Sequence, residues 1–454
     1  MEQNKILEGN LYKNIMTFFM PIWFGTFFQQ LYNTVDAVIV GNFVGKEALA
    51  AVGGPTSTII NLLVGFFVGL SSGAGVVIAQ YFGSRNIEKT NTALHTSVAI
   101  AILGGIVLIV VGIPLSPIFL EGMGTPVEIM EQASVYMRIY FFGSIFNLVY
   151  NIGSGILRAM GDSKKPLYFL ITASIVNIVL DVLFVVYMDM GVAGVAIATI
   201  LAQLASAVLV IISLKGLPDE IKLEFNKTRI NLEMCKEIFK IGVPSGLQSI
   251  MFSISNIIIM STINSFGTNT VAAWTAYNKI DAIFWMTIGS FGIVTTTFVG
   301  QNFGAQNFDR MKKSIKACSI LALLTSAVLT LLLFLFYGVF FRIFTQDTEV
   351  IRIGAIMVGI MGPAYWSFVF IENLSGAMRG VGDSIVPTII TIMGICVFRV
   401  LWIVAVIPFN RTLEMTIMSY PISWILTAII FIFYYKFGKW LKRCCEKRGY
   451  TLPQ

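Results

Sequence analysis

Two aspartates that interrupt strongly apolar stretches are the residues of this sequence best suited to chemistry. Asp36 occurs in "QQLYNTVDAVIVGNFVG" and Asp181 occurs in "SIVNIVLDVLF". Residues three, four or seven positions apart share one face of a helix. Gln29, Tyr32 and Asn33 stand at these spacings before Asp36, so we expect the four side chains to form one polar face.

Polar side chains near the second aspartate extend the pattern. Asn177 lies four residues before Asp181, and Thr199 lies within the next apolar segment. Carboxylate, amide and hydroxyl oxygens suit a hard cation, and a carboxylate also exchanges a proton. In the alternative interpretation, each aspartate only forms local hydrogen bonds that hold helices together. The favoured prediction is a cation- or proton-binding site at Asp36, Asn177, Asp181 and Thr199, supported by the polar groups of Gln29, Tyr32 and Asn33.

The composition around these residues is typical of a membrane protein. Of the 454 residues, 56% are hydrophobic and 12% are charged. A membrane-crossing helix needs about 20 apolar residues, and a charge within it costs about 2.5 to 3.5 kcal/mol, which favours a functional reason for each aspartate. We predict an all-α integral membrane protein with twelve spans, at 13–41, 55–81, 92–115, 127–158, 165–187, 191–214, 236–265, 276–301, 315–341, 350–378, 386–408 and 412–436.

The distribution of basic residues predicts the orientation of these spans. The formal net charge is +7, and most Lys and Arg residues between the spans fall in alternate loops and in the C-terminal tail. Loops rich in Lys and Arg stay in the cytoplasm. The sequence therefore predicts a multi-pass plasma-membrane protein with both termini cytoplasmic, whose basic charge contacts lipid and no nucleic acid.

The chain contains an internal repeat. The phrase "SGILRAMGDSKKP" at 154–166 returns as "SGAMRGVGDSIVP" at 375–387, and "AQYFGSRN" returns as "GQNFGAQN" at the same offset of 221 residues. Parallel repeats of this kind recur in transporters. We predict an N-terminal six-helix bundle with the cation site at 1–214, a cytoplasmic linker at 215–235, and a C-terminal six-helix bundle with a basic tail at 236–454.

The repeated phrase itself is interpreted as a cytoplasmic turn between helices, used twice. Gly161 and Gly382 can adopt the left-handed conformation that ends a helix. Asp162 and Asp383, or the serines that follow them, can cap the next helix. Because a feature present in both halves is scaffold, we favour this structural role over ligand binding.

The second half does not repeat the candidate site. Its positions corresponding to Asp36, Asn177 and Asp181 carry Ile259, Phe398 and Trp402. Glu372 and Arg399 are its own charged residues within predicted spans. This possible polar pair either links helices or handles substrate or protons.

Signatures of soluble enzymes are missing from the sequence. It has no Gly-Lys-Ser/Thr phosphate loop, a single His and five scattered Cys residues. We expect no enzyme activity, no cofactor, and no metal beyond a Na+ at the predicted site. Transport energy would then come from an ion gradient.

Four motifs together resemble the multidrug and toxic compound extrusion (MATE) family over about 11–442. They are "YNTVDAVIVGNFVGKEALAAVG", "AQYFGSRN", "LRAMGDSKKP" and "NIVLDVLF". The resemblance implies two six-helix bundles around a central cleft and an antiporter that exports cationic or amphipathic compounds in exchange for Na+ or H+. Asp36, Asn177, Asp181 and Thr199 match cation-site positions of the DinF-like branch. No carboxylate occurs between Pro244 and Ile280, where the NorM-like branch has one.

The function expected from these observations is therefore secondary active antiport. A small amphipathic or cationic compound would leave the cell, an Na+ or H+ would enter, and the transporter would be a monomer. A flippase for a lipid-linked sugar is the alternative, which the scarcity of intramembrane basic residues disfavours. An intramembrane enzyme would need a nucleophile and base that the sequence does not show.

Overall fold

The computed structural model describes residues 4–451, and all regular secondary structure in that range is helical. The described chain divides into two compact units. The first contains Met16–Gly246 together with residues 4 and 5, and the second contains Ile6–Ile15 together with Leu247 and the residues that follow it. The boundary therefore lies inside a helix, and the N-terminal segment packs with the second unit.

The first unit contains most of one helix, seven complete helices and the start of another. Their bounds are α1 Leu11–Ile39, α2 Lys46–Gly53, α3 Pro55–Gly83, α4 Ile87–Gly122, α5 Val127–Phe142, α6 Ser144–Ala159, α7 Lys164–Asp181, α8 Gly191–Lys215 and α9 Leu232–Asn264. Its largest apolar core is formed by small and branched side chains of α3, α4, α6 and α8.

The second unit contains the first residues of α1, the rest of α9 and eight further helices. Their bounds are α10 Thr268–Gly304, α11 Phe308–Arg342, α12 Thr348–Met361, α13 Tyr365–Gly380, α14 Ile385–Thr391, α15 Phe398–Ala405, α16 Leu413–Phe437 and α17 Trp440–Arg448. A π-helical segment, Ile392–Val397, joins α14 to α15 so that they form one continuous rod.

The helices confirm the predicted fold class. Ten helical stretches of the described chain are long and apolar enough to cross a membrane, or eleven if α5 and α6 form one span. Helix α1 has 29 residues but is not among them, because it carries the polar face predicted around Asp36. Large apolar side chains such as Val110 and Phe433 are about two-thirds exposed, as expected of a surface that lipid covers.

One predicted span is bent. The segment predicted at 127–158 consists of α5 and α6, which meet at 48° around Gly143. A Cβ on Gly143 would lie 2.5 Å from the Cβ of Ile200 in α8. The bend therefore occurs where the backbone packs directly against α8, a contact that only glycine permits.

The repeat is visible in the local geometry of both units. Asn86 caps α4 by accepting a hydrogen bond from the Lys89 amide at 3.0 Å. Asn307, 221 residues later, caps α11 in the same way through the Arg310 amide at 3.1 Å. Helix α3 ends at Gly83 and α10 ends at the equivalent Gly304, so the duplication preserves helix boundaries as well as sequence.

The repeated phrase forms the predicted turn in both units, but its aspartates differ. Gly161 and Gly382 have φ angles of 99° and 96°, which confirms the left-handed conformation. Asp162 Oδ1 accepts the amides of Lys164 and Lys165, both at 3.1 Å, and so caps α7.

The expectation of a second capping aspartate was wrong. Asp383 Oδ2 accepts hydrogen bonds from the Tyr434 hydroxyl at 3.0 Å and from Arg443 Nη2 at 3.1 Å. The reason is α17, which brings Arg443 to this carboxylate and has no counterpart in the first unit.

Candidate cation site

Both predicted aspartates lie where a helix changes its winding. Asp36 is in the last turn of α1, just before a π-helical segment at Val40–Val44. Asp181 is the last residue of α7, and a second π-helical segment follows at Val182–Tyr187. Short π-helical turns of this kind are frequent at functional sites. Sequence periodicity gave no sign of them.

The structure brings three of the predicted residues together from distant parts of the sequence. The carboxyl group of Asp36 lies beside the Asp181 carboxyl group and the Asn177 amide. Asp36 is 9% exposed, Asn177 is 1% exposed and Asp181 is fully buried. Two carboxyl groups therefore share one site that is closed to bulk solvent.

The hydrogen-bonding capacity of this trio is largely unused by the protein. Asp36 Oδ1, both carboxylate oxygens of Asp181, and both polar atoms of the Asn177 amide are buried and form no hydrogen bond with good geometry to another protein group. A buried polar atom without a partner costs free energy. Such convergent oxygens fit the coordination of a small cation or the binding of a proton.

Thr199 faces a narrow pocket beside the trio. Its hydroxyl donates to the carbonyl of Val195 at 2.9 Å, which leaves the oxygen able to accept. The pocket has a volume of about 30 Å³, room for one or two water molecules. It is lined by Gln29, Tyr32, Asn147, Tyr150, Asn151, Leu170, Ala173, Asn177, Thr199, Ala202, Gln203 and Ser206.

The three supporting residues divide into two groups. Gln29 and Tyr32 line the pocket, as their position on one face with Asp36 predicts. Asn33 is exposed and does not line it. The polar face of α1 is thus wider than the pocket it borders.

Sequence reasoning missed several polar residues that surround the trio. Tyr136 of α5 lies near the two aspartates, and Tyr140 stacks on it at a ring separation of 6.3 Å and lies near Tyr32. Tyr136 and Tyr140 are four residues apart and therefore share one face of α5. Asn147 and Asn151 share one face of α6 for the same reason. A search for polar stripes within every span, rather than for charges alone, would have found them.

Of the two roles expected for Glu372 and Arg399, the structure does not show the pairing with each other. Glu372 forms an ion pair with Arg379, two helical turns further along α13, at 3.0 Å. The Arg399 guanidinium lies 4.0 Å over the ring of Tyr420, and its Nε donates to Ser423 Oγ at 3.0 Å. Each charge thus finds a partner closer than the other, Glu372 within its own helix and Arg399 on α16.

A further buried acid was also overlooked. Asp281 in α10 is 6% exposed and accepts hydrogen bonds from the Tyr365 hydroxyl and the Trp285 indole. Sequence reasoning looked for a carboxylate only as far as Ile280 and stopped one residue short. The signal was the pair of aromatic residues, Tyr277 and Trp285, four positions on either side.

Comparison with known proteins identifies the family to which this architecture corresponds. The MatE family model matches residues 21–183 and 244–404, one block in each half of the chain. The chain is 29% identical over 450 residues to "Probable multidrug resistance protein YoeA" of Bacillus subtilis, with 96% of each chain covered. It is 23% identical to "Multidrug export protein MepA" of Staphylococcus aureus, with 87% of this chain and 88% of that protein covered.

Solved structures share the fold. One is described as the "outward-facing conformation of a multidrug resistance MATE family transporter", and it superposes with a TM-score of 0.89 at 24% identity over 98% of this chain and 99% of that one. A transporter from Pyrococcus furiosus also reaches a TM-score of 0.89, at 23% identity over 98% of each chain. Matches in both halves and over the whole length show that this chain belongs to the MATE family, whose members are membrane transporters and not enzymes.

Proposed function

We propose that this protein is a secondary antiporter that exports amphipathic or cationic compounds and takes up Na+ or H+ through the trio Asp36, Asn177 and Asp181. The observation that supports the proposal is the set of buried oxygens in the trio that lie beside one another and form no hydrogen bond of good geometry to a protein group. The relatives named for multidrug resistance and multidrug export supply the substrate class.

Coupling follows from the charge of the trio. Two carboxylates in one enclosed site repel each other, and a cation or proton lowers that repulsion. Occupancy by the ion therefore changes the stability of the arrangement of α1 against α7. A substrate that binds one arrangement better than the other is coupled to the ion by this difference in free energy.

Orientation and location belong to the same proposal. The basic loops and tail favour cytoplasmic termini in the plasma membrane, so the exported compound leaves the cytoplasm as the ion enters. The pocket beside the trio has room for only one or two water molecules. Substrate therefore binds in a conformation in which this region is wider. The proposed antiporter is a monomer.

No observation favours the alternative of a flippase for lipid-linked sugars. A diphosphate-bearing substrate needs Arg or Lys side chains to bind it, and the pocket beside the trio is lined by neutral polar and apolar residues. Scrambling of a labelled lipid-linked sugar by the purified protein would reverse this ranking.

The test is gradient-driven efflux in proteoliposomes, with Na+ and H+ gradients imposed separately. Wild type should expel a fluorescent cation under one of the gradients, and Asp36→Asn and Asp181→Asn should each abolish this efflux. Asp219→Asn is the matched control, since Asp219 is an exposed carboxylate that pairs with Lys222 at 2.9 Å outside the spans. Undiminished efflux by both site variants would refute the proposal.

A further inference from the structure

The second unit contains a chain of hydrogen-bonded groups that ends on a buried acid. The hydroxyls of Tyr277 and Tyr365 are hydrogen-bonded to each other, and Tyr365 is also bonded to Asp281 Oδ1. The other carboxylate oxygen, Oδ2, accepts from the Trp285 indole. Tyr277 and Tyr365 are each 1% exposed, so the whole chain lies away from solvent.

Aromatic rings enclose this chain. Phe284 stacks on the ring of Tyr365 at 3.9 Å, and Trp424 contacts both Tyr365 and Trp285 at 5.9 Å. Phe368 packs edge-on against Trp285 at 4.6 Å. An apolar enclosure of this kind makes a change of charge on Asp281 energetically large, so its protonation state affects the packing of α10, α13 and α16.

The charged and titratable groups around Asp281 are few. Tyr277 shares its helix, Tyr365 comes from α13, Tyr420 comes from α16, and Arg399 comes from α15 and lies over Tyr420. Arg399 forms no ion pair with a carboxylate in the described chain, and Asp281 forms none with a cation. Asp281 is therefore held by neutral donors alone.

Glu372, another acid in the membrane-crossing helices of the second unit, has a charged partner. It forms an ion pair with Arg379 at 3.0 Å. The hydrogen-bond partners of Asp281 are neutral, and a hydroxyl can accept as well as donate. Asp281 therefore has partners that can serve either protonation state.

The hydroxyl chain can serve both states of Asp281. When the carboxylate is ionised, Tyr277 donates to Tyr365 and Tyr365 donates to Oδ1. When a proton is bound, the Oδ1 hydroxyl donates to Tyr365 and Tyr365 donates to Tyr277. The indole of Trp285 can only donate, so Oδ2 remains an acceptor and the proton is directed to Oδ1.

We propose that Asp281 Oδ1 is a second proton-binding site of this transporter, with Tyr365 and Tyr277 as positioning residues. One proton adds to the carboxylate to give the neutral acid and is released in the reverse step. Its role in transport rests on the antiport proposed above, whereas its existence does not. The first and second units would then each contain a group whose charge changes during the transport cycle.

Infrared difference spectroscopy of the purified full-length protein tests the site directly. In the Asp36→Asn, Asp181→Asn background, spectra taken between acidic and alkaline pH should contain a carbonyl band of a buried carboxylic acid. Adding Asp281→Asn should remove this band, whereas adding Glu372→Gln should leave it. Adding Tyr365→Phe should move it to higher frequency, because the acid loses its hydrogen-bond acceptor. A purely structural Asp281 would give no such band.

The outcomes separate this proposal from the antiport itself. Superimposable spectra with and without Asp281→Asn would overturn the second site, even if Asp36→Asn abolishes efflux. A band that depends on Asp281, together with efflux insensitive to Asp36→Asn and Asp181→Asn, would leave the second site standing and remove the proposed function. If Asp281→Asn disturbs folding, the other two variants test the site instead. Tyr277→Phe retains the direct contact between Tyr365 and Asp281 and should keep the band, whereas Tyr365→Phe should shift it.

Discussion

At the scale of single residues, equivalent positions of the two units carry side chains of different polarity and packing. Where the first unit has Asp181 with unsatisfied oxygens, the second has Trp402, whose indole donates to the Met415 carbonyl at 2.9 Å. Where the first has Asp36, the second has fully buried Ile259. At these positions the second unit has packed side chains, whereas the first has buried polar groups without a partner.

This contrast predicts that function and stability oppose each other at Asn177. Replacing it with leucine removes two buried polar atoms that have no partner, which should raise the free energy of unfolding by about 1 to 3 kcal/mol. The same change should abolish ion-driven efflux. Thermal unfolding in detergent and the efflux assay measure the two effects.

Asn373→Leu is the matched control for that variant. Asn373 is equally buried, but its Oδ1 accepts a hydrogen bond from Thr295 at 3.1 Å and only its Nδ2 has no partner. Its replacement should lower the unfolding temperature because the Thr295 hydroxyl loses its acceptor. A fall in stability for both variants would show that Asn177 is a structural residue.

The candidate trio was within reach of sequence reasoning because an acid in an apolar span is conspicuous. The ion pair of Glu372 with Arg379 was within reach too, because residues seven apart share one face of a helix, but the prediction considered a partner on another helix. Asp281 is also an acid in a predicted span, 276–301, and was missed because the search for a carboxylate ended at Ile280. Its hydrogen bonds to aromatic residues become evident only when the structure shows where their polar atoms point.

At the scale of elements, glycines permit a close contact between two helix backbones in the first unit. Gly69 and Gly73 of α3 pack against Gly246 and Gly242 of α9, and a Cβ on Gly73 would lie 2.4 Å from the carbonyl oxygen of Ile238. Small residues spaced four apart permit such backbone contact between membrane helices. The same spacing on both helices makes the contact reciprocal.

Gly73→Ala should therefore separate α3 from α9. The added methyl group meets backbone, which cannot move as a flexible side chain can, so we expect destabilisation of about 1 to 3 kcal/mol. Gly289→Ala in α10 is the control, since nothing lies within 4 Å of its Cβ position and alanine favours helix by up to about 1 kcal/mol. Equal unfolding temperatures for the two variants would contradict the contact.

The tail helix α17 gives a second prediction at this scale. Arg443 anchors it to Asp383, and the adjacent Cys444 is buried, which raises the pKa of its thiol to about 12. Arg443→Ala should release the helix and expose the thiol. Alkylation of Cys444 at neutral pH should then accelerate by at least about tenfold, the factor that one pKa unit represents.

Lys442→Ala is the control for this experiment. Lys442 is exposed and reaches only Glu446 of its own helix, at 4.0 Å, so its loss should leave the alkylation rate unchanged. An unchanged rate in Arg443→Ala would mean that apolar packing alone holds the tail in place.

Sequence periodicity predicted the helices well and their irregularities poorly. The length of the apolar segments predicted the twelve spans, and each of them falls on a helix, on a bent pair of helices or on a continuous rod. This length is informative because the membrane thickness imposes it. The π-helical segments after Asp36 and Asp181 and the bend at Gly143 depend on contacts with other helices. No local pattern encodes such contacts.

At the scale of the whole molecule, one scaffold occurs twice and its chemistry has diverged. Caps, left-handed glycines and helix ends recur at a constant offset of 221 residues. The acids do not recur at this offset. Asp36 and Asp181 occur in the first unit, and Asp281 occurs in the second. Duplication supplied the helices, and substitution within them supplied two different polar sites.

The central claim is that substrate and coupling ion are linked through the trio in the first unit. Direct measurement of ion displacement tests it: a lipophilic cation is titrated into the purified protein while the released Na+ or H+ is measured. Wild type should release ion in a fixed ratio to the substrate bound, and Asp36→Asn should release none from this site. Substrate binding to wild type without release, or identical release by Asp36→Asn, would contradict the account.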